Sequence, residues 1–502
     1  MRSRIGSVVS AVVLATTALS LVGCNLKAGN LIAPSGAGRE AQAGGKGFAP
    51  GEPTPVSPEK ELIITDLSVV NDKRAKGMGP WSFGTLMEGL SGGKNTEQFV
   101  LNWLNEWNKD VVVNGQKIPA RKAIQSLIID PWKQASGGKR LDMSKAPFRL
   151  LAITNRVDLR KVGNAGEGRL VFGVVDLRDP NEQSPLRPLF TVIFEYGVDF
   201  NMLGGMKYDR MDDPNNKQLA KIRMGLVTDW AMRWHKLGTM PFGPQYNAEL
   251  QKLTDVFARG GANRNKPNGS ALNQLRTNEI ELSTQEAIAK FGPPNPADPV
   301  NFAKFFQHLK DNPWEMREFH VSRSGQLASA TMALTPSLAM NGSSKLADYI
   351  NRNERDILQE EHVLPVSMLA GSAPVPGAGN FPPAGINDPF LVWNAPGIRN
   401  PEARFKFALN TCSGCHMIEA GLNKSVIGED FLQIRPRKAN EPSTLSPFLT
   451  GQDVPDPVTG QVRRLDDIGR RVNDMNQLIG YSYNRDLVPT RQMEMPFPSR
   501  VH

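Results

Sequence analysis

The stretch that most constrains this chain is Cys412-Ser413-Gly414-Cys415-His416, because the surrounding fold must hold two thiols and an imidazole on one short segment. Thiols two residues apart reach the two vinyl groups of one porphyrin, and a histidine directly after them is placed to ligate the iron. The chain has three cysteines and six histidines. With that composition, a second Cys and then His follow a given Cys by chance about once in twenty thousand times. A zinc site needs two more ligands at short spacing, but no later Cys follows and the next His is His502. The motif points to a covalently bound haem c (iron), with Cys412 and Cys415 as its attachment points and His416 as an iron ligand.

The third cysteine has its own context. Arg2 and Arg4 precede an apolar run from Val8 to Val22, which ends in Leu21-Val22-Gly23-Cys24. That is the layout of a secretory signal, short for a spanning helix. The ending resembles the lipobox of bacterial lipoproteins. This resemblance implies cleavage before Cys24 and acylation of that cysteine, and Asn25 in place of aspartate implies the outer membrane of a Gram-negative cell. Acylation anchors rather than spans. An uncleaved N-terminal anchor leaves the protein on the same side of the membrane, and cytochrome c maturation also occurs outside the cytoplasm. No other segment is apolar and long enough to cross a bilayer.

Loss of residues 1–23 removes Arg2 and Arg4, so the net charge of +9 becomes +7. No basic block or aromatic-basic interleaving accompanies it, which argues against nucleic acid as a partner. From Cys24 to about Lys60 the chain is dominated by Gly, Ala, Pro and Ser and reads as a flexible tether. Such a tether has an end-to-end distance on the order of 30 to 35 Å.

Residues 61–371 are patterned as an α+β domain with an antiparallel sheet. Leu62 to Val70 reads as an opening strand. Thr96 caps a helix whose Phe99, Val100, Trp103, Leu104 and Trp107 share an apolar face, the tryptophans reading as core. Phe148–Thr154, Arg169–Asp176 and Leu189–Tyr196 follow as a meander, since the turn-rich link from Gly163 to Gly168 is too short for a crossover helix. Helices are expected over Gln218–Leu237, Tyr246–Phe257, Val300–Leu309 and Ser344 to about Glu361, with Asp298-Pro299 as a helix start, capping-box spacing at Ser283 and Glu286, and a strand over Trp314–Val321.

His235, His308, His320 and His362 are not spaced as metal ligands and read as structural. Asn155-Arg156-Val157-Asp158, Glu167, Arg169, Arg276, Asn278 and Glu279 form a polar set among apolar runs, either a binding site or an internal salt-bridge set. No serine elbow, phosphate loop, dinucleotide fingerprint or His-Glu zinc motif is present.

Residues 372–399 are rich in Pro and Gly and read as a linker to a smaller, mainly α domain over 400–502. Asn400-Pro401-Glu402 reads as a helix start, with Phe405, Leu409 and Cys412 on one face. This arrangement resembles the first helix of class I cytochromes c, which the attachment motif closes. The resemblance is specific at the five motif residues and implies a cytochrome c-like domain. It also implies a methionine as sixth iron ligand: Met495, followed by Pro496, comes first and Met475 second, ahead of Met417, Met493, His502 or an open site. Only seven residues follow Met495, where that family places a further helix. Arg435 and Arg437 read either as partners of the haem propionates or as a solvated loop, and Asp456 to Gly460 reads as a turn.

The expected function is a lipid-anchored cytochrome that carries single electrons between redox partner proteins at the cell envelope. The alternatives are an envelope oxidoreductase or peroxidase-like enzyme whose larger domain binds a substrate, and a haem-containing binding or sensor lipoprotein.

Overall fold

The structure, a computed structural model, describes residues 54–160, 164–179, 181, 184–186, 190–204, 217–279, 290–293, 295, 297–311, 314–375, 392–416, 418–421 and 432–483. Cys24, Ser283, Glu286, Met417, Met493, Met495 and His502 lie outside these residues, as do the signal sequence and most of the tether.

Among the described residues twelve strands run in chain order: β1 Ile63–Ile64, β2 Val111–Val113, β3 Gln116–Ile118, β4 Phe148–Arg156, β5 Asn164–Val174, β6 Phe190–Asp199, β7 Leu272–Glu279, β8 Trp314–Val321, β9 Leu327–Ala330, β10 Ala373–Val375, β11 Gln452–Pro455 and β12 Val462–Leu465. Eight of them form one antiparallel sheet in the order β1-β4-β5-β6-β7-β8-β10, with β9 also on β8. The meander is present as expected, and two hairpins, β2–β3 and β11–β12, stand apart from it. Mixed helix and strand with a large antiparallel sheet is therefore the fold class.

The two faces of the sheet differ in chemistry. One carries the rows Ile153, Leu170, Phe194, Leu275, Phe319 and Leu150, Phe172, Val192. Phe83, on the helix Phe83–Leu90, stacks on Phe148 at 3.8 Å between ring centroids and meets Phe172 and Phe194 edge-on. Trp103 of the helix Thr96–Asn105 meets Phe319 and Trp107, just beyond that helix, meets Phe190, so both tryptophans are core, and Phe257 of the helix Pro244–Phe257 lies on Tyr196. A Cβ on Gly168 would come 2.1 Å from the Phe257 ring, so only glycine lets this helix approach so closely. The opposite face is lined by Thr154, Arg169, Glu195, Arg276, Asn278 and Met316 and is buried too.

The cover over that second face comes from the C-terminal third. Phe405, Cys415, Phe448, Met475 and Ile479 belong to the same hydrophobic core as Trp103 and Phe172. A second core joins Leu346, Ile350 and Leu364 to Trp393, Ala403 and Phe407. The segments 61–371 and 400–483 thus share their cores rather than closing one each, because the second sheet face and the helix Pro401–Leu409 are each covered by residues of the other segment.

Several elements differ locally from the sequence expectation. The opening strand is only Ile63–Ile64: Asp66 accepts a hydrogen bond from the Ser68 N–H at 2.8 Å and starts a helix at Leu67–Val70. The tether ends early, with Val56 buried and a helix at Pro58–Glu61. Helix 344–361 is two helices, Ser344–Arg352 and Glu354–Leu358, broken where the Asn353 side chain donates to the Tyr349 carbonyl. Within 372–399, β10 pairs with β8 and Trp393 is buried, so these parts are built into the core. The helices Lys217–Gly238, Pro244–Phe257 and Pro299–Asp311 stand as expected, the last capped by Asp298.

Candidate functional site

The attachment motif is a one-turn helix of its own, Cys412–Cys415. The preceding helix, Pro401–Leu409, starts where Asn400 Oδ1 accepts from the N–H groups of Glu402 and Ala403. It stops because Asn410 and Thr411 turn their side chains onto the carbonyls of Lys406 and Ala408. Thr411 then caps the motif, accepting the Gly414 N–H at 2.9 Å. The continuous face expected through Phe405, Leu409 and Cys412 is therefore broken at Thr411. A Cβ on Gly414 would lie 1.9 Å from the Ala408 carbonyl oxygen, so this turn can form only with glycine there.

Distant segments fix the motif. The Cys412 N–H donates to Thr335 Oγ1 at 2.9 Å, Trp393 Nε1 donates to Ser413 Oγ at 2.7 Å, and Gln433 Nε2 lies 3.4 Å from both the carbonyl and Sγ of Cys415. Cys412, Cys415 and His416 are all buried, and neither cysteine is in a disulfide. Burial pushes the Cys412 thiol up to about 11, against the nearby Arg276 guanidinium. A thiol held so high is not a thiolate nucleophile at neutral pH.

His416 opens onto a cavity between the motif and the polar face of the sheet. Thr154, Arg169, Glu195, Arg276, Asn278 and Met316 form the sheet wall, and Leu432, Gln433, Ile434 and Leu449 form the wall on the motif side. The space is about 80 Å³, room for a few waters. Arg156, Arg471, Ile63, Val171, Thr191 and Ile193 complete the lining, giving four guanidiniums against the one carboxylate of Glu195. Four polar atoms of this lining, Thr154 Oγ1, Thr191 Oγ1, Asn278 Oδ1 and Arg471 Nε, meet no hydrogen-bond partner within the protein. Buried polar atoms without partners are costly.

The guanidiniums are held by carboxylates behind the lining. Arg169 pairs with Glu167 at 2.7 Å and Glu195 at 3.2 Å, and Arg276 with Glu195 at 3.1 Å and Glu318 at 2.9 Å. Arg156 pairs with Asp158 at 2.9 Å, and Arg471 with Asp467 at 2.5 Å. Burial raises the Glu195 carboxyl in spite of Arg169 and Arg276, and it lowers Arg471 to about 10, helped by the like charge of Arg156. For Arg276 and Asp158 the paired charges outweigh burial, so the arginine is held above and the aspartate below its ordinary range. The polar set read from the sequence is thus an internal salt-bridge set, and its members Arg156, Arg169, Arg276 and Asn278 line the cavity.

At the other end of the same sheet face lies an open cleft of about 600 Å³, with Glu167, Lys266, Asn273, Gln274 and His320 in its walls. Arg276 lines both spaces.

Other expectations are settled by contact. Arg437 is buried and spends its guanidinium on backbone carbonyls, those of Leu150 and Ala439 among them, and on Asn71 Oδ1; it is neither solvated nor turned to the cavity. Met475 is buried with its sulfur 3.9 Å from the Asn155 side-chain amide and does not line the cavity. His235 pairs with Glu61 and His320 with Glu318. Asp456 makes the expected turn by accepting from the N–H groups of Val458 and Thr459, and it also pairs with the buried Arg404 at 2.9 Å. Sequence reading missed Thr335, Gln433 and Met316, residues in strand and loop patterns with no motif of their own. Among the described residues, no helix is long and apolar enough to cross a membrane, and no group of three or more His, Cys, Asp or Glu is arranged to hold a metal ion. No protein-family model, curated protein or solved structure matches this chain.

Proposed function

We propose that this chain is a lipid-anchored c-type haem protein of the cell envelope, bonded to one haem through Cys412 and Cys415 and ligated to its iron by His416. It carries single electrons between redox partner proteins, tethered to the outer membrane through Cys24. The observation that carries this reading is the motif itself, two buried cysteines outside any disulfide followed by an imidazole that lines a cavity with four guanidiniums and four unpartnered polar atoms in its lining.

The residues fit a haem by the chemistry of the donor set. Cys412 and Cys415 offer the thioether positions, His416 the ring nitrogen, and Arg156, Arg169, Arg276 and Arg471 the charge to meet two carboxylates. The space of about 80 Å³ is smaller than a tetrapyrrole, and Cys412 and Cys415 are not among its lining residues, so the fit is one of donor chemistry and not of volume. When bound, the haem supplies a one-electron iron couple. The chain's own part is to hold His416 by the Thr335, Ser413 and Gln433 contacts, to keep water scarce around the site, and to surround it with fixed charge.

The test is expression with cytochrome maturation machinery, followed by denaturing electrophoresis stained for covalent haem and by intact mass. The expected result is one bound tetrapyrrole, lost in a Cys412→Ala, Cys415→Ala double variant. A colourless protein at the bare polypeptide mass would overturn the reading.

A second reading, a haem oxidoreductase acting on a small molecule, is favoured by the open cleft that shares Arg276 with the cavity. Reduced protein that binds carbon monoxide, or ferric protein that reacts with peroxide, would select it over simple electron carriage.

A further inference from the structure

We infer that the cleft at the far end of the polar sheet face is a binding site for a small organic carboxylate, whose charge meets Lys266 and whose apolar body lies against the leucines of the cleft wall. Its binding groups are separate from the attachment motif and need no haem.

A local irregularity of the sheet builds the floor of this cleft. Along β6 and β7, Glu195 pairs with Gln274 and Tyr196 with Leu272, so Asn273 is the extra residue of a β-bulge. Neighbouring residues of a regular strand point to opposite faces, yet Asn273 and Gln274 both line the cleft. The bulge therefore turns Asn273 onto the polar face. There it lies over Gly197, where a Cβ would come 2.7 Å from Asn273 Oδ1, so the glycine leaves room for this side chain. Asn273 Oδ1 accepts from Lys266 Nζ at 2.7 Å, and Asn273 Nδ2 donates to Glu167 Oε1 at 3.2 Å.

Lys266 is the charge that this floor presents. Its half-buried ammonium donates to Asn273 and, at 3.2 Å, to the Ala271 carbonyl, both neutral oxygens, and among the described residues it makes no ion pair. The carboxylates that face it have other partners: Glu167 pairs with Arg169 at 2.7 Å, and Asp199 takes the Asn263 side-chain amide. Burial holds the Lys266 amine below its ordinary range, against the pull of Asp199 and Glu167. An ammonium partly removed from water and left with neutral partners is stabilised by an anion. One such ammonium suits the single charge of a carboxylate better than the double charge of a phosphate.

The walls fit an organic body. Leu159, Leu272, Leu364 and Leu369 line the cleft with buried apolar side chains, and Val363, also in the wall, is 76% exposed. Leu334 in the same wall has a φ of +53°, the left-handed region that a leucine rarely adopts, and strain of this kind gathers at ligand sites. His320 Nε2 lies 2.7 Å from Glu318 Oε1, which orients the ring and leaves Nδ1 without a partner among the described residues, in a side chain about half exposed. A cleft of about 600 Å³ with these walls is of the size that takes a small organic molecule.

The test uses the full mature chain and isothermal titration calorimetry, with phenylacetate, its neutral isostere phenylacetamide and inorganic phosphate as probes. Phenylacetate is expected to bind about tenfold or more tighter than the amide, and tighter than phosphate. Lys266→Met, which keeps the aliphatic stem, should erase the preference for the acid. Val363→Glu places a carboxylate at an exposed position of the wall. It should weaken phenylacetate and spare phenylacetamide without changing the unfolding temperature of the free protein, so the test survives a Lys266 variant that fails to fold. Equal binding of acid and amide, no binding of phenylacetate, an acid preference that persists undiminished in both variants, or tighter binding of phosphate overturns the assignment. The same results are expected with and without haem, so a colourless protein overturns the haem reading and leaves this site standing.

Discussion

The backbone N–H of Cys412 is held by the hydroxyl of Thr335 at 2.9 Å, across 77 residues of chain. Through this bond the attachment motif is docked to a segment that also pairs with Leu369 through Pro336, so the motif and the sheet region are mechanically one unit.

Thr335→Ala leaves the buried Cys412 N–H without an acceptor. Such a loss costs about 1 to 3 kcal/mol, and Thr335→Ser, which keeps the hydroxyl, should lose less than half as much. Urea unfolding of both variants measures the difference. Equal losses would show that the methyl group rather than the hydrogen bond matters.

Gly414→Ala tests the tight turn inside the motif. Alanine for glycine in a helix normally stabilises by up to about 1 kcal/mol. Here the added Cβ would sit 1.9 Å from a backbone oxygen, so the change should instead destabilise by about 1 to 3 kcal/mol. Thermal unfolding followed by circular dichroism gives the sign directly, and a neutral or stabilising result would contradict the geometry.

His362 predicts a pH dependence. Burial between Tyr349 and Phe407 pushes its imidazole down to about 4, in spite of Glu360 and Asp356, and neither ring nitrogen meets a hydrogen-bond partner. The unfolded ring titrates near 6.5, so between that pH and about 4 the unfolded chain binds the extra proton. The contribution from the neutral ring is therefore whole above about pH 6.5 and drains away as the pH falls towards 4. Denaturant midpoints taken across this window should converge for wild type and His362→Phe as the pH is lowered, if phenylalanine costs stability at neutral pH, or diverge in favour of the variant if it does not. Parallel curves would show that His362 does not titrate there.

Much of the secondary structure was legible because its signals are local. Phe99, Trp103 and Trp107 repeat at helical spacing, Asp298-Pro299 announces a helix, and Phe148–Thr154 is a β-rich run. Where expectation and structure part, a single side-chain hydrogen bond decided: Asp66 ended the first strand, Asn353 split a helix, and Thr411 started the motif as a helix of its own.

The sequence by itself marked 412–416 as the candidate site, because a thiol pair and an imidazole at that spacing stand out without reference to any other segment. It also gave the charged residues at alternate positions of the strands, but a strand alternating in this way reads the same whether its polar side meets water or protein. Only the tertiary structure decided that this side is roofed by the segment bearing His416. The reason is physical: pairs such as Arg276 with Glu195, 81 residues apart, and Arg437 with the Leu150 carbonyl, 287 apart, form only after strand pairing and burial bring them together, and no local pattern encodes that distance.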